Sequence, residues 1–246
     1  MLDTETILKE LAARYETADF MRGDPSWFMH QVEGENNQEV MAFLAASLSY
    51  GSRKQFMPKI RQMLEWSGGE VYDWVRSGDF KHDVPDTQEC YYRLYTFSTV
   101  HRMLCALQEM LLIYGNIRQY VGYCTGIGAI EKIVAWFSVR KVEGIIPKNT
   151  QSSCKRLCMF MRWMVRSNSP VDLGLWKESI DRRTLIIPMD THVMQEANRF
   201  GLIKSKTASM TAAIRLTMKL SDFFPDDPVK GDFALFGAGV AEDASL

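Results

Sequence analysis

No apolar run in the chain approaches the eighteen or so residues that a membrane helix requires. The opening segment, MLDTETILKELAARYE, lacks the basic-then-apolar layout of a secretory signal. These absences argue for a cytoplasmic protein with no membrane partner. Cysteine is scarce: five residues, an odd number, with no C-x-x-C pair. That speaks against a disulfide framework and against a four-thiolate zinc or iron–sulfur site, and no metal site is expected. No repeat, low-complexity tract or Gly/Ser linker divides the chain. Strand signals are almost missing too, because the one β-rich cluster, Leu185-Ile186-Ile187, is cut short by Pro188.

What remains is helical. At 246 residues with 46% hydrophobic and 24% charged residues, the chain can bury a proper core. Ile7, Leu8, Leu11, Ala12 and Tyr15 form one apolar stripe, and Val40, Phe43, Leu44 and Leu48 form another that stops near Gly51. Leu104, Leu107, Leu111 and Tyr114 belong to a long helix that Ser98 or Thr99 could cap and Gly115 could end. The spacing predicts an all-α fold of about ten helices.

The formal charge is −1, but it is unevenly spread. Residues 1–40 hold three basic and nine acidic residues, and residues 221–246 hold one and six. Residues 141–220 hold fourteen basic and six acidic residues, so one segment of a nearly neutral protein could face a polyanion. Within it, SSCKRLCMFMRWMVR (Ser152 to Arg166) reads as a helix with Leu157, Met161, Met164 and Val165 inward and Lys155, Met159, Arg162 and Arg166 on one outer stripe. Ser152 or Ser153 could cap it, which places Lys155 in the first turn, where the helix dipole disfavours a positive charge and favours a nucleophilic amine. A second block, PMDTHVMQEANRFGL (Pro188 to Leu202), reads as a helix capped by Asp190 and ended by Gly201. A carboxylate held at a helix start by backbone N–H groups also stays ionised beside a developing cation. His192 in the same block reads as structural.

These blocks resemble parts of the helix-hairpin-helix DNA glycosylase superfamily, the endonuclease III-like enzymes. The Pro188–Leu202 block is similar to the segment bearing that superfamily's essential aspartate, and the Ser152–Arg166 block to the helix bearing its nucleophilic lysine. EVMAFLAASLSYGSRK (Glu39 to Lys54) resembles its L-L-S-x-Q-T-type segment, and DFALFGAG (Asp232 to Gly239) its closing helix. The four matches cover about residues 39–66 and 145–240. The KRLxxFxRWMVR and PxDTHV blocks also resemble an uncharacterised bacterial family at the edge of the superfamily. The archaeal 8-oxoguanine glycosylases share the wide gap between lysine and aspartate, filled here by an insertion from Ser167 to Thr184. The hairpin is degenerate: where the superfamily reads L-P-G-V-G-x-K/Q-T-A, this chain has IPKNTQSSCK (Ile146 to Lys155), with neither glycine.

The resemblance implies a two-lobed helical bundle in one compact unit, lobe one about 39–140 and lobe two 1–38 with 141–246. It implies a monomeric DNA base-excision glycosylase with abasic-site lyase activity, acting on damaged duplex DNA without a cofactor. Lys155 would be the nucleophile and Asp190 its electrostatic partner. Arg53, Lys54, Lys148, Ser152, Ser153, Arg156, Arg162 and Arg166 would contact DNA, and Ser49, Tyr50, Phe160 and Trp163 would form the base pocket. The alternative is a non-catalytic nucleic-acid-binding protein of the same fold.

Overall fold

A computed structural model describes residues 3–142 and 144–243. Twelve α-helices occur among them: α1 (Thr4–Tyr15), α2 (Glu35–Leu48), α3 (Arg53–Trp66), α4 (Val71–Ser77), α5 (Phe80–Asp83), α6 (Phe97–Tyr114), α7 (Ile117–Val121), α8 (Gly126–Val139), α9 (Lys155–Val165), α10 (Thr191–Arg199), α11 (Met210–Ser221) and α12 (Gly231–Asp243). Two short antiparallel strands, β1 (Cys90–Tyr92) and β2 (Tyr95–Thr96), make one hairpin. The chain is therefore predominantly helical. Leu185-Ile186-Ile187 is extended but pairs with no strand among the described residues. No helix among the described residues is long and apolar enough to cross a membrane.

The chain divides into two compact units. One comprises Met21–Cys124 and Glu131–Asn149. Its centre is α2, buried on every side from Glu39 to Leu48 rather than along a single stripe. A 3-10 turn at Pro25–His30, with Phe28 and Met29 fully buried, packs on α2, as do α3 and α4. This packing, with the Asp24–Arg53 ion pair, places residues 21–38 with α2 and with residues 141–149, and not with residues 1–20 and 150–246. The α2 carboxylate of Glu39 is buried and accepts hydrogen bonds from the backbone N–H groups of Ile117 (2.7 Å) and Arg118 (3.0 Å), capping α7 from a distance. The cap of α6 is Thr96, at the end of the hairpin, instead of Ser98 or Thr99, while Gly115 ends the helix at positive φ as its sequence position suggests.

The other unit comprises Met1–Phe20, Thr125–Ile130 and Thr150–Leu246. Helix α12 packs against α1 and α10. Gly237 of α12 lies under the ring of Tyr15, and any Cβ there would overlap that ring. The 167–184 insertion turns back over α9: the backbone N–H groups of Leu173 and Trp176 donate to the carbonyls of Trp163 and Met164 at 2.8 and 2.7 Å. Trp176 is buried edge-on against Phe160.

Candidate functional site

Lys155 opens α9 as the sequence suggests, but its N-cap is Cys154, in the left-handed region at φ 46° and with no capping side chain. Neither Ser152 nor Ser153 caps the helix. The hydroxyl of Ser153 instead donates to the carbonyl of Met189 at 2.9 Å, tying the approach to α9 to the approach to α10. On that second approach, Asp190 is the N-cap of α10, accepting from the backbone N–H of Val193 at 2.9 Å through Oδ1. Its other oxygen, Oδ2, accepts from Lys155 Nζ at 2.8 Å. The capping role and the charge-bearing role thus use different oxygens of one carboxylate. The Lys155 and Asp190 side chains are 35% and 21% exposed, so water and a ligand can reach the pair. Burial pushes the Asp190 carboxyl up, but the Lys155 ammonium and its hydrogen bond, the Val193 N–H and His192 outweigh it, and the carboxyl titrates below the ordinary carboxylate value.

Behind the pair lies a buried ionic network that sequence reasoning missed. Arg162 and Arg166, expected on the outer stripe of α9, are 4% and 2% exposed. Arg162 pairs with Asp172 (3.2 Å) and with Asp232, and Arg166 pairs with Asp172, Asp227 (2.8 Å) and Glu16 (2.8 Å). The guanidinium of Arg162 also stands over the ring of Phe233. Burial raises the Asp232 carboxyl and the Arg162 cation pulls it back only in part, leaving it at about 6. Two guanidiniums, with Lys230 at the margin, face four carboxylates here, so the acid least well compensated keeps its proton longest.

Several expectations are corrected by this arrangement. Arg162 and Arg166 do not face solvent and cannot bind phosphate, because the insertion carries Asp172 onto the side of α9 that periodicity leaves open. Phe160 and Trp163 are fully buried and line no base pocket. Val171, Leu173 and Trp176 flanking Asp172 were the available signal, since an apolar run in a supposed surface loop predicts burial.

The remaining candidates are distributed between the units. Ser152 is exposed, Ser153 buried and Arg156 half-buried, all beside Lys155 in sequence. In the other unit Lys54 and Lys148 are exposed, and Arg53 is half-buried and paired with Asp24 at 3.4 Å. There Ser49 donates to the carbonyl of Ala45 at 2.7 Å, and Tyr50 lies beside the guanidinium of Arg93, 5.1 Å from its ring centroid. No group of three or more metal-ligating side chains converges among the described residues. The thiols of Cys105, Cys124, Cys154 and Cys158 are raised by burial, which makes them poor nucleophiles.

Neither a curated protein nor a solved structure matches the chain. The model of the family described as "Protein of unknown function (DUF2400)" matches residues 24–241, a span that holds both Lys155 and Asp190, and the chain belongs to that family.

Proposed function

We propose that the protein is a DNA base-excision glycosylase with abasic-site lyase activity, in which Lys155 is the nucleophile and Asp190 its electrostatic partner. The observation that carries this reading is the 2.8 Å contact between Lys155 Nζ and Asp190 Oδ2, two groups 35 residues apart that meet at a partly open position. An amine and a low-titrating carboxylate in contact are the parts that nucleophilic displacement at a sugar carbon requires.

In the resting protein the two groups form an ion pair. Attack requires the amine free of its third proton, which Asp190, the hydrogen-bonded acceptor within reach, relays to solvent and so is ionised again before the sugar reacts. The amine nitrogen then bonds to C1′ of an extruded nucleotide as the bond from C1′ to the base breaks, and the base leaves with the electron pair and takes up a proton. Asp190, ionised and fixed by the Val193 N–H, opposes the positive charge that develops on the sugar. The C1′–O4′ bond then breaks, O4′ takes up a proton lost from the nitrogen, and the opened sugar is left as a Schiff base on Lys155. Loss of a C2′ proton then expels the 3′ phosphate by β-elimination.

Incubation with abasic-site duplex and borohydride tests the reading, because reduction of the Schiff base leaves protein bound covalently to DNA. Wild-type protein should form the adduct and Lys155→Gln should not. Binding of the duplex without any adduct would assign the protein instead to non-catalytic nucleic-acid binding.

A further inference from the structure

Several cations of the Lys155 unit are neutralised locally. Lys155, Arg162, Arg166, Arg183, Arg199 and Lys230 each have a carboxylate within 4 Å. The exception with a shape is a cavity of about 490 Å³ between the 202–205 segment and α11. Its lining includes the apolar Leu202, Ile203 and Ala212 and the cationic Lys204, Arg215 and Lys219. Lys219 is bonded to Asp222 at 2.8 Å, the one carboxylate in the lining. Lys204 and Arg215 are exposed, and neither has an ion-pair partner among the described residues. A volume of this size suits a ligand, and unbalanced positive charge in its lining selects an anion.

The cavity is tied to the segment that leads into Lys155. Ser209, in its lining, forms an isolated antiparallel bridge with Ser152, three residues before Lys155. A bridge brings Cα atoms to about 5 Å and three residues reach at most about 11 Å, so Ser209 and Lys155 lie within roughly 16 Å of one another. Arg215 and Lys219 stand four residues apart on α11, roughly 6 Å between Cβ atoms, which suits contact with successive groups of an extended polyanion. The guanidinium of Arg215 adds a planar fork of donors matched to phosphate oxygens.

Resting on the function proposed above, we infer that this cavity receives backbone phosphates of the DNA strand adjoining the nucleotide held at Lys155 and Asp190. Lys204 and Arg215 are the contacts that matter, and they replace Arg162 and Arg166 in the role that the sequence suggested for those two.

The test is the salt dependence of binding to a duplex carrying an uncleavable abasic analogue, for wild-type protein, Lys204→Ala/Arg215→Ala and the charge-keeping Lys204→Arg/Arg215→Lys. Loss of two phosphate contacts should make the log–log slope shallower by about 1.8, and the charge-keeping variant should restore it. Both variants should still form the borohydride adduct at saturating DNA, since neither residue belongs to the pair. A slope unchanged in the alanine variant overturns the inference even if the adduct forms. A slope that changes as expected, with no adduct in any protein, upholds the cavity and rejects the lysine chemistry. Failure of wild-type protein to bind duplex rejects both, and so does retention of a mononucleotide, but not of duplex, at Lys204 and Arg215.

Discussion

Asp190 and Asp232 lie on opposite sides of the ordinary carboxylate range, for reasons visible in their surroundings. Asp190 meets a cation and a backbone donor and titrates low, whereas Asp232 is fully enclosed and titrates at about 6 against an ordinary 3.8. The folded chain thus keeps a proton on Asp232 to higher pH than the unfolded chain does. Between about pH 4 and 6 the folded state binds more protons, so this group lowers stability as pH rises through that window, and the loss is complete above about 6. Asp172, also raised by burial, acts in the same direction. Asp190 acts in the other: it stabilises the fold above the ordinary value and loses that contribution only as pH falls through its own lower one. Asp232→Asn should therefore flatten the fall of Tm between about pH 4 and 6, and an unchanged slope would mean that another group titrates there. Asp190→Asn separates the two roles of its residue. Asparagine still caps α10, so thermal stability should change by well under about 1 kcal/mol beyond the lost ion pair, while adduct formation should slow on the order of a hundredfold.

At the scale of elements, α9 is held by charges that its own sequence does not explain. Arg166→Met would leave Asp172, Asp227 and Glu16 facing one another without their common cation, and should cost about 3–5 kcal/mol in urea unfolding. A cost under about 1 kcal/mol would show that the network adds nothing to stability. Gly237→Ala should cost about 1–3 kcal/mol by forcing α12 away from Tyr15, with part of the loss recovered when Tyr15 is also made smaller. Local signals made much of this legible. Lys155 in a first turn, Asp190 as a cap, and Gly115 and Gly201 at helix ends all depend on a few neighbouring residues, and the structure has them there. The burial of Arg162, Arg166, Phe160 and Trp163 was not legible in the periodicity of α9, which says nothing of a segment that returns to cover its other face; only the apolar residues around Asp172 hinted at it. Asn116 caps α7 locally, but the second acceptor at that end was hidden for the same reason: Glu39 is 78 residues from Ile117.

For the whole molecule, the excess of positive charge between residues 141 and 220 splits in two. Part is spent inside, on Asp172, Asp227, Asp232 and Glu16, and part stays on the surface at Lys204 and Arg215. A count of basic residues therefore overstates the charge that DNA can meet, and the salt dependence of binding should reflect the exposed cations alone. The proposed chemistry requires that the Lys155 amine, and no other, meets the sugar. Proteolysis and mass mapping of the borohydride-reduced adduct decide this most directly. The deoxyribose fragment is predicted on the peptide that contains Lys155, and its mass on Lys148, Lys204 or the N-terminal amine instead would contradict the pairing of Lys155 with Asp190 as the reacting centre.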